Sequence, residues 1–368
     1  EGERYEAFVR GRVRSQRARR LRAGDLVVVS GAREVLDAER ARRVRWQRVV
    51  GELELDWLGD VRPGGVLARS SNRVRELIQD GAAALPADQA ALVRGLVIGD
   101  DGGQPPAMTE RFRLSGLSHL TAVSGQNVAL CIAAAGPLLR RARPFSRWVL
   151  TLWLIAWFVV LTRAEPSVLR AGVMAGLGAT AYALGRPREP IRLLALAVIG
   201  LVLFDPLLVW SIGFWLSVGA TGGVTAIGPW FVARLSRLGP LALPVGVTLG
   251  AQLGVAVPSV LVFGRLSLIG TVANLVAGPV AGFVMLVGLP AALLAGAVPV
   301  VGPFVMAPAG WAAAWVDAVA TVGAALEPRP PWSWLGWATV TAGVAWLAAR
   351  PPAEPGGAPD ASSARLTR

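Results

Sequence analysis

The chain has 368 residues, 54% hydrophobic and only 17% charged, with a mean hydropathy of +0.51 and a net charge of +13. A soluble domain carries about 25% charged residues and spreads them, whereas here residues 1–80 hold 18 Arg against 13 Asp and Glu while Leu266 to Val316 hold no charge in 51 residues. A single Cys (Cys131) and a single His (His119) exclude an intrachain disulfide and a thiolate or imidazole metal cluster, and with it a zinc nuclease centre built on several His residues.

Residues 1–62 read as β structure. Tyr5 to Val13 alternates loosely, Gly24-Asp25 precedes the apolar run Leu26 to Val29, and Gly51 to Trp57 alternates strictly. Several short strands in so few residues suggest a small β domain, best fitted as part of an OB-like barrel lacking its first strands. Arg-rich stretches at Arg10–Arg22 and Arg40–Arg48 interleave with Tyr5, Phe8 and Trp46. Such a surface suits single-stranded nucleic acid by charge and stacking, and it equally suits a plain solvated basic face. Residues 63–113 read as a connector with helical spacing at Ser70–Gln79 and Pro86–Ile98. The second segment is amphipathic and is expected to lie along a membrane surface before Gly99-Asp-Asp-Gly-Gly ends it.

Residues 114–350 read as a polytopic helical membrane domain, so the fold class is mainly α with a small N-terminal β domain. A spanning helix needs about 20 apolar residues, and spans are expected near 117–139, 148–162, 167–184, 191–204, 209–232, 241–263, 267–289, 291–324 (broken, and so two segments) and 332–349. Gly278-Pro279, Leu289-Pro290 and Gly302-Pro303 interrupt them, and non-helical backbone at membrane depth needs shelter from protein or a watery cavity. Basic loops at Arg140/Arg141/Arg143/Arg147, Arg186/Arg188/Arg192 and Arg234/Arg237 alternate with weakly charged ones. The excess of Arg places those three loops in the cytoplasm and residues 1–113 outside it. An external N-terminal domain needs export, and the chain begins Glu1-Gly2-Glu3 with no signal segment, so spans upstream in a longer protein are expected. Residues 351–368 read as a disordered Pro- and Gly-rich tail.

The most informative stretch is Phe112-Arg-Leu-Ser-Gly-Leu-Ser-His-Leu-Thr-Ala-Val-Ser-Gly-Gln-Asn-Val-Ala, which sets seven polar residues within 13 positions at the outer end of a span. One or two such residues serve as interhelical glue, but this density points to a wet cavity. The stretch resembles the signature of the competence domain of the ComEC family. Glu165 to Ala175, Asp205 to Ser217 and Ala251 to Leu275 are similar to its later blocks, in the same order, so that the resemblance covers about residues 85–290. The N-terminal strands resemble the tail of the OB-like domain preceding that core. Gln126 departs from the family pattern, where a smaller or apolar residue is common. The metallo-β-lactamase-like domain carried by many members has no counterpart in this sequence.

The resemblance implies a multi-pass protein of the bacterial cytoplasmic membrane that moves single-stranded DNA inward during natural transformation. It implies single-stranded DNA and membrane lipids as partners, together with a DNA receptor, a separate nuclease and a cytoplasmic translocation ATPase. Ser124, Gln126, Asn127, Arg170, Gln252 and Asn274 are the candidates for the DNA path. Arg170 is the most pointed of them, because a cation in an apolar helix needs a partner, an interface or a phosphate. Pairing with Glu165 or snorkelling to the interface would also satisfy it. His119 and Gly125 read as structural parts of the motif, and Asp205 as the cap of the helix that follows Pro206. No catalytic residue, metal or cofactor is expected, since Glu165, Asp205 and Asp317 are scattered over different segments. The alternative is a transporter of small molecules or lipids, which broken helices serve equally well.

Overall fold

A computed structural model describes residues 3–9, 21–122, 124–264, 266–329 and 331–349. Most of the Arg10–Arg22 stretch and the tail expected to be disordered lie outside the described residues. The N-terminal unit is a three-stranded mixed sheet of β1 (Arg4–Val9), β2 (Leu26–Glu34) and β3 (Val49–Arg62), in the order β1-β3-β2. β1 runs parallel to β3 and β2 antiparallel to it, with register shifts at Val27/Val29 and Ser30/Gly31.

Residues 38–47 are helical, contrary to the all-β reading of residues 1–62. Helix α1 (Ala38–Val44) starts where the Asp37 carboxylate accepts the Glu39 and Arg40 N–H groups, both at 2.9 Å. Arg40 folds back on the sheet, 2.8 Å from both Glu6 and Glu52 and over the Phe8 ring at 5.1 Å, while Arg33 covers Tyr5 at 5.1 Å. Two of the three aromatic residues considered for base stacking therefore have a ring face occupied by a guanidinium from the same unit.

The connector is helical and built into the core. Helices α2 (Val66–Ala82), α3 (Ala87–Ile98) and α4 (Pro106–Leu114) are followed by the single turn α5 (Ser118–Thr121). The expectation that Pro86–Ile98 lies on a membrane surface fails. Ala91, Leu92, Val93, Leu96, Val97 and Ile98 are all at most 3% exposed, and all but Ala91 join Met108, Phe112 and Val128 in one cluster with the apolar helices. An interfacial helix must leave an apolar face to the lipid. Here protein covers it. α2 packs backbone to backbone on a later helix, because a Cβ on Gly81 would stand 2.0 Å from the Ala292 carbonyl oxygen, and one on Gly296 2.0 Å from that of Leu77.

The remaining helices are α6 (Gly125–Leu139), α7 (Pro144–Leu161), α8 (Pro166–Ala183), α9 (Pro190–Phe204), α10 (Ile212–Gly222), α11 (Gly228–Arg234), α12 (Ala242–Phe263), α13 (Gly270–Phe283), α14 (Leu289–Ala297), α15 (Gly302–Leu326) and α16 (Trp332–Ala349). Proline opens α7, α8 and α9 at a position where its missing N–H costs nothing. Five segments are long and apolar enough to cross a membrane: Pro144–Leu161, Ile212–Arg234, Ser236–Phe263, Gly270–Ala297 and Pro299–Leu326. The chain is a multi-pass membrane protein.

Two boundaries differ from expectation. Leu289-Pro290 does not end a span, because the π-helical turn Val284–Gly288 carries α13 continuously into α14. The break falls instead at Val298, after which Pro303 sits in the first turn of α15. A second π turn, Gly223–Ile227, joins α10 to α11. These two helices lie against α12 through glycines: a Cβ on Gly223 would meet the Gly250 carbonyl oxygen at 2.0 Å, and one on Gly254 that of Gly219 at 2.1 Å. Small residues one turn apart allow this approach in an apolar medium.

Candidate functional site

Between α6, α8, α10 and α12 lies a cavity of about 1870 Å³, bordered at one end by residues 99–101, 163, 165–167, 264, 266–267 and 327–329. Its lining runs along α12 from Phe263 to Val247, about 24 Å at 1.5 Å per residue. At the shallow end stand Trp46, Trp334 and Trp337. At the deep end the walls are Ile132, Ala175, Val224 and Val247, with Thr248 the polar residue beside them.

Sequence blocks far apart in the chain meet at this shallow end. His119 Nδ1 stands 3.1 Å from the Gly116 carbonyl and its Nε2 3.1 Å from Oδ1 of Asn274. A neutral ring satisfies both when Nδ1–H donates to the carbonyl and the Asn274 amide turns its NH2 toward Nε2. Gln252 Nε2 donates to the Ser267 carbonyl at 3.1 Å. The Glu327 carboxylate accepts from Ser267 Oγ at 2.9 Å and from the Leu268 and Ile269 N–H groups at 3.0 Å each, so it caps the start of α13 from the end of α15. Gly116 adopts φ +73°, and a Cβ there would press on Ser267 at 2.9 Å. Only glycine allows both the left-handed turn and that approach.

Ser124, Gln126, Arg170, Gln252 and Asn274 all line the cavity, and so do His119 and Gly125. Asn127 does not. Its Nδ2 donates to the Leu96 carbonyl at 3.0 Å and its Oδ1 accepts from Ser124 Oγ at 3.3 Å, so the side chain ties α6 to α3. It is 8% exposed and lines a small adjoining crevice that shares Ser124 and Gln126 with the cavity. Asp205 caps the turn after Pro206 by accepting the Leu207 N–H at 3.2 Å. It also holds Arg48 of the N-terminal unit at 3.2 Å, and one turn away Arg45 lies over the Trp210 ring at 4.3 Å. These contacts seat the β unit beside the cavity mouth, where they place Trp46.

The charge around the cavity is mixed: Arg75, Arg113, Arg163, Arg170 and Arg329 face Asp100, Asp101, Glu165 and Glu327. Most of these are committed. Arg75 donates to the Leu161 carbonyl at 2.9 Å, and burial lowers its pKa. Arg113 is paired with Glu110 at 2.7 Å, and Glu327 is used in its cap. Burial, with Asp101 adding to it, raises the pKa of Glu165. Arg170 is different. It is 4% exposed, its Nε and Nη2 donate to Ser217 Oγ at 2.8 and 2.6 Å, and its Nη1 stands 3.0 Å from the Met174 sulfur. Among the described residues no carboxylate pairs with it, so neither the Glu165 pairing nor snorkelling applies. Ser217 was the missed partner; it closes the block Asp205–Ser217, and a lone polar residue ending an apolar run was the available signal. Glu327 was missed too, with only its isolation after an apolar helix to mark it.

A family model described as "Competence protein" matches residues 96–351. The chain belongs to the Competence protein family. That match takes in α6 to α16 and every cavity-lining candidate named above. Among curated proteins, the chain is 26% identical over 209 residues to an Escherichia coli protein named "Uncharacterized protein YcaI", which covers 53% of this chain and 28% of that one. It is 29% identical over 205 residues to "ComE operon protein 3" of Bacillus subtilis (55% and 26%), and 29% identical over 163 residues to "Competence protein ComA" of Neisseria gonorrhoeae (41% and 23%). The matched part spans about a quarter of the length of these relatives. No solved structure matches the chain.

Proposed function

We propose that the cavity is the path by which single-stranded DNA crosses the membrane in natural transformation, with this chain acting as a conduit and not as a catalyst. The observation that carries the reading is the convergence of the competence-family blocks on one large cavity whose largely apolar walls carry the neutral polar side chains of Ser124, Gln126, Gln252 and Asn274. Small-ligand pockets occupy roughly 300–1,000 Å³, and a cavity of about 1870 Å³ exceeds that range, which favours a polymer over a small molecule or lipid. Ser124, Gln126, Gln252 and Asn274 offer hydrogen bonds without countercharge, so they guide phosphates without trapping them. The mixed charge at the mouth speaks against simple electrostatic capture there, and in this reading the basic N-terminal unit, seated at the mouth through Asp205 and Trp210, delivers the strand. A receptor, a nuclease for the other strand and a cytoplasmic motor are the partners such a conduit needs.

The test is a covalent block. Ala251 lines the cavity wall on α12. In transformable cells that depend on this chain for uptake, Ala251→Cys in a Cys131→Ser background is expected to take up labelled DNA normally. A bulky maleimide should then abolish uptake. Unchanged uptake after complete labelling, at normal membrane abundance, overturns the proposal.

A further inference from the structure

We propose that Arg170, seated on Ser217, and the N-terminus of α6 together form a binding site for one phosphate group inside the cavity. The inference rests on the reading that a strand occupies the cavity, and it names where a phosphodiester of that strand is held.

A guanidinium has five N–H donors. Arg170 uses one from Nε and one from Nη2 on a single neutral hydroxyl and directs Nη1 to a thioether, which leaves two without a partner among the described residues. The residue is 4% exposed and lines the cavity. A buried cation held by neutral groups keeps its whole charge for a ligand, whereas a carboxylate would have neutralised it. Serine therefore orients the fork without satisfying it.

The second component is independent of the first. Helix α6 begins at Gly125, and its N-cap residue Ser124 makes no side-chain cap; its hydroxyl donates to Asn127 Oδ1. Among the described residues, no acceptor takes the Gly125 or Gln126 N–H. A helix of 15 residues thus presents free N–H groups and the positive end of its dipole to the cavity. Gly125 brings that end against the guanidinium: a Cβ built on it would stand 3.1 Å from Arg170 Nη2 and 3.0 Å from the Ala171 Cβ. A larger residue would push the two apart. Fork and helix end face one volume, and a tetrahedral anion accepts from both.

A thiol one turn below Ser217 reads the local field. Thr221 lines the cavity, with its hydroxyl 2.9 Å from the Ser217 carbonyl. In purified protein carrying Thr221→Cys and Cys131→Ser, a sulfonate-bearing thiosulfonate is expected to react about tenfold faster than its trimethylammonium counterpart, after normalising to a free thiol. The ratio should fall to about one in Arg170→Gln. It should also fall in Ser217→Asp, which keeps the cation but pairs it, so a folding defect in the first variant does not end the test. An unchanged ratio in monodisperse samples of both variants overturns the site. Oligothymidylate is expected to protect the thiol in the parent and not in the variants. Equal protection in all three overturns the anion site and leaves the strand path standing. Arg170-dependent protection by inorganic phosphate or phosphatidylglycerol, without protection by oligothymidylate, keeps the anion site and overturns the strand path.

Discussion

His119 Nε2 and Asn274 Oδ1 stand 3.1 Å apart although 155 positions separate them, and this contact ties the turn before α6 to α13 at the cavity mouth. Replacing either residue removes the same bond. His119→Ala and Asn274→Ala are expected to destabilise the detergent-solubilised protein by about 1 kcal/mol each. The double variant should cost less than the sum, by about 0.5 kcal/mol or more. Additive effects in thermal unfolding followed by tryptophan fluorescence would show that the contact carries no energy.

Glu327 holds three donors at the start of α13. Glu327→Ala leaves two backbone N–H groups and a hydroxyl without their charged acceptor, at a cost of about 2 kcal/mol. Glu327→Gln keeps one acceptor oxygen and should recover part of the loss. The comparison of the two melting temperatures checks this.

The glycine contact between α10–α11 and α12 tolerates no side chain. Gly223→Ala would set a methyl 2.0 Å from the Gly250 carbonyl oxygen, and overpacking of this kind costs about 1–3 kcal/mol. Gly200→Ala, with nothing within 4 Å of the added Cβ, is the matched control on a helix surface. Membrane abundance should fall for the first and hold for the second.

Glu165 binds its proton more tightly when folded, because burial and then Asp101 disfavour the carboxylate. A raised folded pKa means that ionisation costs stability, so the penalty is absent below the ordinary carboxylate range and complete above the folded pKa. Glu165→Gln is therefore expected to melt like the parent below about pH 4 and above it at neutral pH. A constant difference at all pH values would contradict the assignment.

Residues 114–350 were legible as mainly helical because apolar composition and Gly/Pro punctuation are local properties, and most expected spans proved helical with ends moved by a few residues; the span expected from 117 instead starts at Gly125, after the single turn Ser118–Thr121. The errors arose where context outside the window counted. Leu289-Pro290 looks like a break, yet a π turn absorbs the proline and the backbone turns at Val298 instead. Arg40–Arg48 looked like basic surface in a β domain, but Asp37 starts a helix there and Glu6 and Glu52 neutralise Arg40.

Gln126 and Asn127 show where sequence stops. Both are amides in one motif, and no local pattern ranks one above the other. Neighbours on a helix point about 100° apart, so a single position separates the cavity wall from the buried contact with Leu96. Sequence by itself determined the membrane character, the order of the helices and the family blocks, since each depends on residue type and near neighbours. Tertiary structure alone decided that α3 is core, that Ser217 and not Glu165 holds Arg170, and that four distant blocks enclose one cavity. Those outcomes follow from which helix faces pack together.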